Sequence, residues 1–102
     1  MGCSKVDDRT LYNAQQAVKN GAFILDVRTP KEFQIKHIDG AVNISIDLLE
    51  KSLDQLPKNK TIVVYCHSGS RSSRAAHFLT QHGWHVYDVA TQSEFERVVK
   101  PI

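Results

Sequence analysis

Cys66 is the side chain of this 102-residue chain that is best suited to covalent chemistry. It follows an apolar, β-branched run over residues 61–65 and precedes a small polar turn that becomes helical at Ser72. A cysteine in such a place lies where a buried parallel strand ends and a helix begins, which in open α/β sheets is where ligands bind. Backbone N–H groups of the turn and of the helix start point their partial positive charge at one centre. The dipoles of the turn and those of the helix start both favour the thiolate and make Cys66 a nucleophile.

The turn after Cys66 adds positive charge around the thiol. Arg71 and Arg74 contribute full charges, although a cation in the first turn of a helix opposes the helix dipole. An anionic ligand in the turn would resolve this conflict. The alternative is that Cys66 is a small buried apolar residue, as free cysteines often are, but the polar turn offers it no apolar partner. The predicted binding residues of the turn are His67, Ser68, Gly69, Ser70 and Ser72.

Composition excludes several other classes of protein. A formal net charge of +2 with scattered basic residues predicts no nucleic-acid partner, and no apolar run has transmembrane length. Of the two cysteines, Cys3 lies in a polar N-terminal stretch that should fray, so no disulfide with Cys66 is expected. The five histidines lack metal-ligand spacing, and neither a metal nor a cofactor is predicted.

The N-terminus leaves the compartment open. Residues 1–8 are predicted to form a flexible tail on a single domain that spans residues 1–102, and a monomer is expected. Position 6 is Val, so the start fails the myristoylation motif, whereas Gly2-Cys3-Ser4 resembles the end of a bacterial lipoprotein signal. We therefore expect a cytoplasmic protein or, if a signal segment has been removed, a periplasmic, lipid-anchored one.

The elements that must position Cys66 alternate along the chain. The predicted strands are residues 22–27, 42–46, 61–65 and 85–89, and the predicted helices are 11–19, 30–36, 47–56, 72–81 and 93–99. This order predicts an α/β domain with a mainly parallel sheet flanked by helices on both faces. Asp26 and Arg28 then follow a strand at the same edge as Cys66. They are predicted to support the site, with backbone capping and a mutual ion pair as the structural alternative.

Three ordered motifs resemble the rhodaneses, a family of sulfurtransferases. They are Leu25-Asp26-Val27-Arg28 with Glu32-Phe33, the stretch from Phe33 through His37-Ile38-Asp39-Gly40-Ala41 to Ile44, and the stretch from Val64 through Cys66 to Ser72. The match covers nearly the whole chain. The chain is similar to small single-domain bacterial rhodaneses, including phage-shock-type ones. The resemblance implies a rhodanese-like domain and no cofactor.

The same resemblance implies a persulfide mechanism. The Cys66 thiolate would take a sulfane sulfur from a small anionic donor such as thiosulfate, and an acceptor (cyanide, a thiol or a protein) would remove it. Catalysis would rest on Cys66 and on Arg71, which with the N–H groups of the turn would stabilise the anionic sulfur and the donor's oxyanion.

Two other functions stay open. One is a non-catalytic persulfide carrier or interaction module, which the intact turn disfavours. The other is a small phosphatase or arsenate reductase. Phosphatase relatives of the fold have a turn one residue longer, and here Ser72 stands where their arginine would be. The chain also departs from the family at His67, where arginine is common, at Asp39, which replaces a proline, and at residues 90–93, which replace a Gly-Gly segment.

Overall fold

The computed structural model describes residues 5–99, which contain one all-parallel sheet of four strands in the order β2-β1-β3-β4. The strands are β1 Phe23–Asp26, β2 Val42–Asn43, β3 Ile62–Cys66 and β4 Val86–Thr91. The helices are α1 Asp8–Lys19, α2 Pro30–Ile35, a 3₁₀ helix Ile46–Gln55, α3 Ser70–Gln81 and α4 Gln92–Phe95. In this part of the chain, each helix is too short or too polar to cross a membrane. The predicted α/β class is confirmed.

Strand β3 contributes side chains to two apolar clusters, one on each face of the sheet. Each of its residues is buried, and successive side chains point to opposite faces. Ile62, Val64 and Cys66 belong to the first cluster, which α3 and the 3₁₀ helix cover. Val63 and Tyr65 belong to the second cluster, which α1 and α4 cover. Helices therefore flank both faces of the sheet, as the strand–helix alternation predicts.

Helix α1 begins earlier than predicted. Asp7 is its cap, and the Asp7 carboxylate accepts the N–H of Thr10 at 3.2 Å. Val6 is buried, and its N–H donates to Oε1 of Glu94 at 2.7 Å. Within the stretch predicted as a flexible tail, Val6 is therefore held by Glu94 of α4, and Asp7 and Asp8 form the cap and the first residue of α1. Residues 1–4, and Cys3 with them, lie outside the described residues.

Helix α2 begins as its sequence predicts. Thr29 Oγ1 accepts the N–H of Glu32 at 3.2 Å, and Glu32 Oε1 accepts the N–H of Thr29 at 2.9 Å, with Pro30 at the first helical position. This reciprocal capping box fixes the start of the helix and the orientation of the Glu32 carboxylate.

Two elements differ from their predicted form. The segment predicted as a helix over residues 47–56 is the 3₁₀ helix, and it is kinked at Ser52. The Ser52 hydroxyl donates to the carbonyl oxygen of Leu48 at 2.8 Å, a bond that competes with regular helix geometry. Strand β4 runs two residues further than predicted because an irregularity in its pairing places Thr91 opposite Cys66. Ala90 has a φ of 63° at this point, and α4 follows as a single turn.

Candidate active site

The thiol of Cys66 lies inside the turn that joins β3 to α3. Cys66 is 1% exposed, and its Sγ accepts the backbone N–H of Gly69 at 3.0 Å and that of Ser72 at 3.2 Å. Gly69 has a φ of 96°, a conformation that favours glycine, and this lets the turn fold back over the sulfur. The Ser72 hydroxyl donates to the Gly69 carbonyl at 3.1 Å and closes the turn. Two N–H dipoles directed at one sulfur stabilise negative charge there.

The other residues of the turn lie further out. His67, Ser68 and Ser70 are exposed, whereas Ser72 is buried. The structure thus brings Gly69 and Ser72 to the Cys66 sulfur through their backbone and leaves the remaining predicted turn residues at the surface.

Arg71 forms an ion pair with Glu32 of α2. Its Nη1 donates to Oε1 at 3.1 Å and its Nη2 to Oε2 at 3.3 Å. Hydrogen bonds from Arg71 and from the N–H of Thr29 hold the pKa of Glu32 down at about 2. The hydrogen bonds to Glu32 and the charge of its carboxylate raise the pKa of Arg71. The anion that offsets the charge of Arg71 at the helix start is therefore this carboxylate, which no spacing in the sequence pointed to.

Asp26 and Arg28 form a buried ion pair at the end of β1. Arg28 Nη2 donates to Oδ2 of Asp26 at 2.6 Å, and its Nε lies 3.0 Å from each carboxylate oxygen. Arg28 Nη2 also donates to the carbonyl oxygen of Lys36 at 2.7 Å, which ties the end of α2 to the sheet. The pKa of Arg28 is raised, chiefly by these hydrogen bonds to Asp26.

Tyr65 extends this network under the site. The guanidinium of Arg28 lies 5.2 Å from the centre of the Tyr65 ring, a cation–π distance. The Tyr65 hydroxyl accepts the N–H of Ile38 at 3.1 Å. Burial, together with hydrogen bonding to Asp26, raises the pKa of Tyr65. The network holds the edge of the sheet and the segment after α2 in one arrangement beside Cys66.

A cavity of about 240 Å³ opens beside the thiol. Its lining residues are Arg28, Lys36, Cys66, His67, Thr91, Gln92, Ser93 and Glu96. Cys66 and Arg28 are buried, whereas Lys36, His67, Ser93 and Glu96 are exposed, so the cavity has a buried base and a polar rim. The sequence did not indicate Lys36 as a site residue, and residues 90–93 stood out in it only as a departure from the family. The longer β4 brings these residues to Cys66. Between residues 5 and 99, no cluster of three or more His, Cys, Asp or Glu side chains could hold a metal ion.

A family model described as a rhodanese-like domain matches residues 9–92. The chain belongs to the rhodanese-like domain family. This rhodanese-like domain is 30% identical over 81 residues to a sulfurtransferase of Allochromatium vinosum, a match that covers 79% of the chain and 75% of that protein. It is 37% identical over 62 residues to the thiosulfate sulfurtransferase PspE of Escherichia coli, covering 59% of the chain and 60% of PspE.

Solved structures agree with this membership. The rhodanese-like domain superimposes on the crystal structure of a rhodanese-related protein from Thermoplasma volcanium with a TM-score of 0.73 and 31% identity. The superposition covers 96% of each chain. The resemblance to the rhodaneses is thereby confirmed, and the names of the relatives support a sulfurtransferase.

Proposed function

We propose that this rhodanese-like domain transfers a sulfane sulfur from a small anionic donor such as thiosulfate to a thiophilic acceptor through a persulfide on Cys66. One observation carries the proposal: the buried Cys66 sulfur accepts two backbone N–H groups, from Gly69 and Ser72. A persulfide needs the same stabilisation of charge on sulfur as the thiolate from which it forms. Relatives named as sulfurtransferases support the reaction class.

The proposed reaction has two displacement steps. The Cys66 thiolate attacks the outer sulfur of thiosulfate, an S–S bond to Cys66 forms, and the donor's S–S bond breaks with its electron pair leaving on sulfite. Cyanide, a thiol or a protein thiolate then attacks the outer sulfur of the persulfide, and the electron pair of that S–S bond returns to Cys66. Each step conserves charge, so no external oxidant or reductant is needed.

The surrounding residues take separate roles in this proposal. Gly69 and Ser72 stabilise the sulfur charge through their N–H groups, and Arg71 adds a positive field from its position in the first turn of α3. His67 lies at the rim of the cavity past which the donor and the acceptor reach the thiol, and Ser68 and Ser70 are exposed beside it in the same turn. Asp26 and Arg28 support the edge of the sheet.

The experiment that tests the proposal measures thiocyanate formation from thiosulfate and cyanide. Cys66→Ser should abolish turnover, because the serine hydroxyl is too weak a nucleophile to take up sulfur. Cys3→Ser removes the other thiol and is the matched control, with turnover expected to stay at the wild-type level. Intact mass after thiosulfate treatment should show one added sulfur atom in the wild type and none in Cys66→Ser.

Other outcomes assign other functions. A stable added sulfur without turnover to cyanide or thiols would identify a persulfide carrier. No added sulfur from any sulfane donor, with hydrolysis of an aryl phosphate or reduction of arsenate, would instead identify the phosphatase or reductase that the turn length disfavours.

A further inference from the structure

We propose that Arg28 and Lys36, rather than Arg71, recognise the oxyanion of the sulfur donor at Cys66. The inference rests on the proposed function and deepens it, because it assigns the donor-binding wall of the cavity. It reassigns a role that the resemblance to the rhodaneses implies for Arg71.

Arg71 is already engaged by another anion. Both terminal nitrogens of its guanidinium donate to the two carboxylate oxygens of Glu32, and Arg71 does not line the cavity beside Cys66. A donor oxyanion could use the fork of Arg71 only after displacing a carboxylate that is fixed by its own capping box. Arg71 can therefore contribute a positive field at the sulfur, but the two terminal nitrogens that a bidentate contact would use already donate to Glu32.

Arg28 lines the cavity and is held rigidly. It is 8% exposed, and its hydrogen bonds to Asp26 and to the Lys36 carbonyl use Nε and Nη2, which leaves Nη1 outside these contacts. Asp26 is fully buried and does not line the cavity, so the positive end of the pair is the end beside the thiol. A pre-oriented donor of this kind binds an anion without paying for reorganisation.

Lys36 supplies the net charge that the neutralised pair lacks. Its carbonyl oxygen binds Arg28, so its backbone is anchored next to the guanidinium, while its exposed side chain stands at the rim. Glu96 also lines the cavity, and its carboxylate accepts a hydrogen bond from Nε2 of Gln92 at 3.0 Å. An anionic group should therefore lie against the Arg28 and Lys36 wall, with the sulfur directed at Cys66.

The size of the cavity limits the donor. A volume of about 240 Å³ lies below the roughly 300–1,000 Å³ of pockets that enclose drug-sized ligands. A donor that fits this cavity carries a sulfane sulfur a few bonds from an oxyanion. The sulfonate of thiosulfate and the carboxylate of a small organic hydropersulfide both meet this description.

The test compares three donors by the rate at which each loads Cys66 with sulfur. They are thiosulfate, the hydropersulfide of a small thiol acid, and the hydropersulfide of an uncharged alkyl thiol, which has no oxyanion. Lys36→Gln should lower kcat/KM about two- to fivefold for an oxyanion donor, the range of an exposed charge contact, and Lys36→Glu should lower it further. The donor without an oxyanion should be unaffected, and Lys31→Gln, at an exposed lysine of α2 outside the cavity, should match the wild type.

A separate variant tests the contribution of Arg28 to donor binding. Arg28→Lys keeps the charge but loses the planar fork, so we expect a larger fall in kcat/KM for the oxyanion donors than Lys36→Gln causes. Urea unfolding of this variant reports whether it is folded, and the Lys36 variants keep the inference falsifiable if it is not. Comparison of thiosulfate with the thiol-acid donor shows which oxyanion the wall prefers.

Three results distinguish a failure of this inference from a failure of the proposed function on which it rests. Lys36 variants that slow all donors equally, or none, would overturn the inference, and so would an Arg71→Lys variant whose loss is confined to the oxyanion donors. A wild type that takes up sulfur from no donor would instead overturn the proposed function.

Discussion

At the scale of single residues, ion pairs in this domain differ in how much water reaches them. The Asp26 side chain is 0% exposed and that of Arg28 10%, whereas Asp8 is 60% exposed in its pair with Arg97. Removing one partner of a buried pair leaves a charge that neither water nor protein solvates. A surface pair loses little, because water takes the place of the missing partner.

Asp26→Asn should therefore destabilise the fold strongly. We expect the free energy of unfolding to fall by about 3–5 kcal/mol, because the buried Arg28 guanidinium loses its counter-charge. Urea titration followed by circular dichroism measures the change. Asp8→Asn is the matched control, an Asp-to-Asn change at an exposed pair, and its effect should be much smaller. Equal effects from the two substitutions would show that the Asp26–Arg28 pair has no special structural role.

The residues of the site differ in how far sequence alone could place them. Cys66 and its turn are local, since the strand, the glycine and the helix start are consecutive in the chain, and so their arrangement could be predicted. Arg71 and Glu32 are 39 positions apart, and nothing in either neighbourhood indicates the pairing. Tertiary contact decides which anion Arg71 meets. The sequence therefore predicted a bound anionic ligand beside Arg71, because it does not show that the Glu32 carboxylate occupies that place.

At the scale of elements, the Glu32–Arg71 pair joins the start of α2 to the start of α3. The pKa of Glu32, about 2, lies below the ordinary 4.5 of a glutamate, so the folded state favours the ionised carboxylate. Such a group contributes stability above the unfolded pKa, and the contribution is lost as the pH falls through the folded pKa.

Glu32→Gln should consequently be destabilising in a pH-dependent way. Near neutral pH we expect a loss of about 1 kcal/mol, the upper range for a partly exposed pair. The difference from the wild type should shrink as the pH falls from 4.5 towards 2, since the wild-type carboxylate is then protonated. Urea titrations at a series of pH values measure this difference. Glu50→Gln, at an exposed position of the 3₁₀ helix, serves as the control, and a Glu32→Gln difference that is independent of pH would contradict the prediction.

Elements with local start signals were predicted better than those shaped by distant contacts. The capping box of Thr29 and Glu32 lies within four consecutive residues, and α2 begins where it predicts. The extension of β4 to Thr91 depends on its pairing with Cys66, and the early start of α1 is supported by the bond from Val6 to Glu94. Propensity and pattern carry no information on such partners, so neither boundary could be predicted from them. The resemblance to the rhodaneses alone drew attention to residues 90–93.

At the scale of the whole molecule, the two apolar clusters are separate layers that share the sheet. The first contains Ile62 and Val64, and the second contains Val63 and Tyr65, all from β3. A strand that is buried on both faces cannot be lost from one layer while it remains in the other. A domain of this size should therefore unfold in one cooperative transition.

The chain's single tryptophan allows this cooperativity to be measured. Trp84 packs against the first cluster, and its Nε1 donates to the Pro57 carbonyl at 2.8 Å, so its fluorescence reports on that layer. Ile24→Val removes a methylene from the second cluster and should cost about 0.5–1.5 kcal/mol. Because β3 couples the layers, the urea midpoint from Trp84 fluorescence should fall as far as the midpoint from circular dichroism. Ile62→Val, the same change in the first cluster, is the control and should shift both midpoints together as well. A fluorescence midpoint that stays in place in Ile24→Val, while the dichroism midpoint falls, would mean that the layers unfold independently and that the Cys66 face can persist without the other.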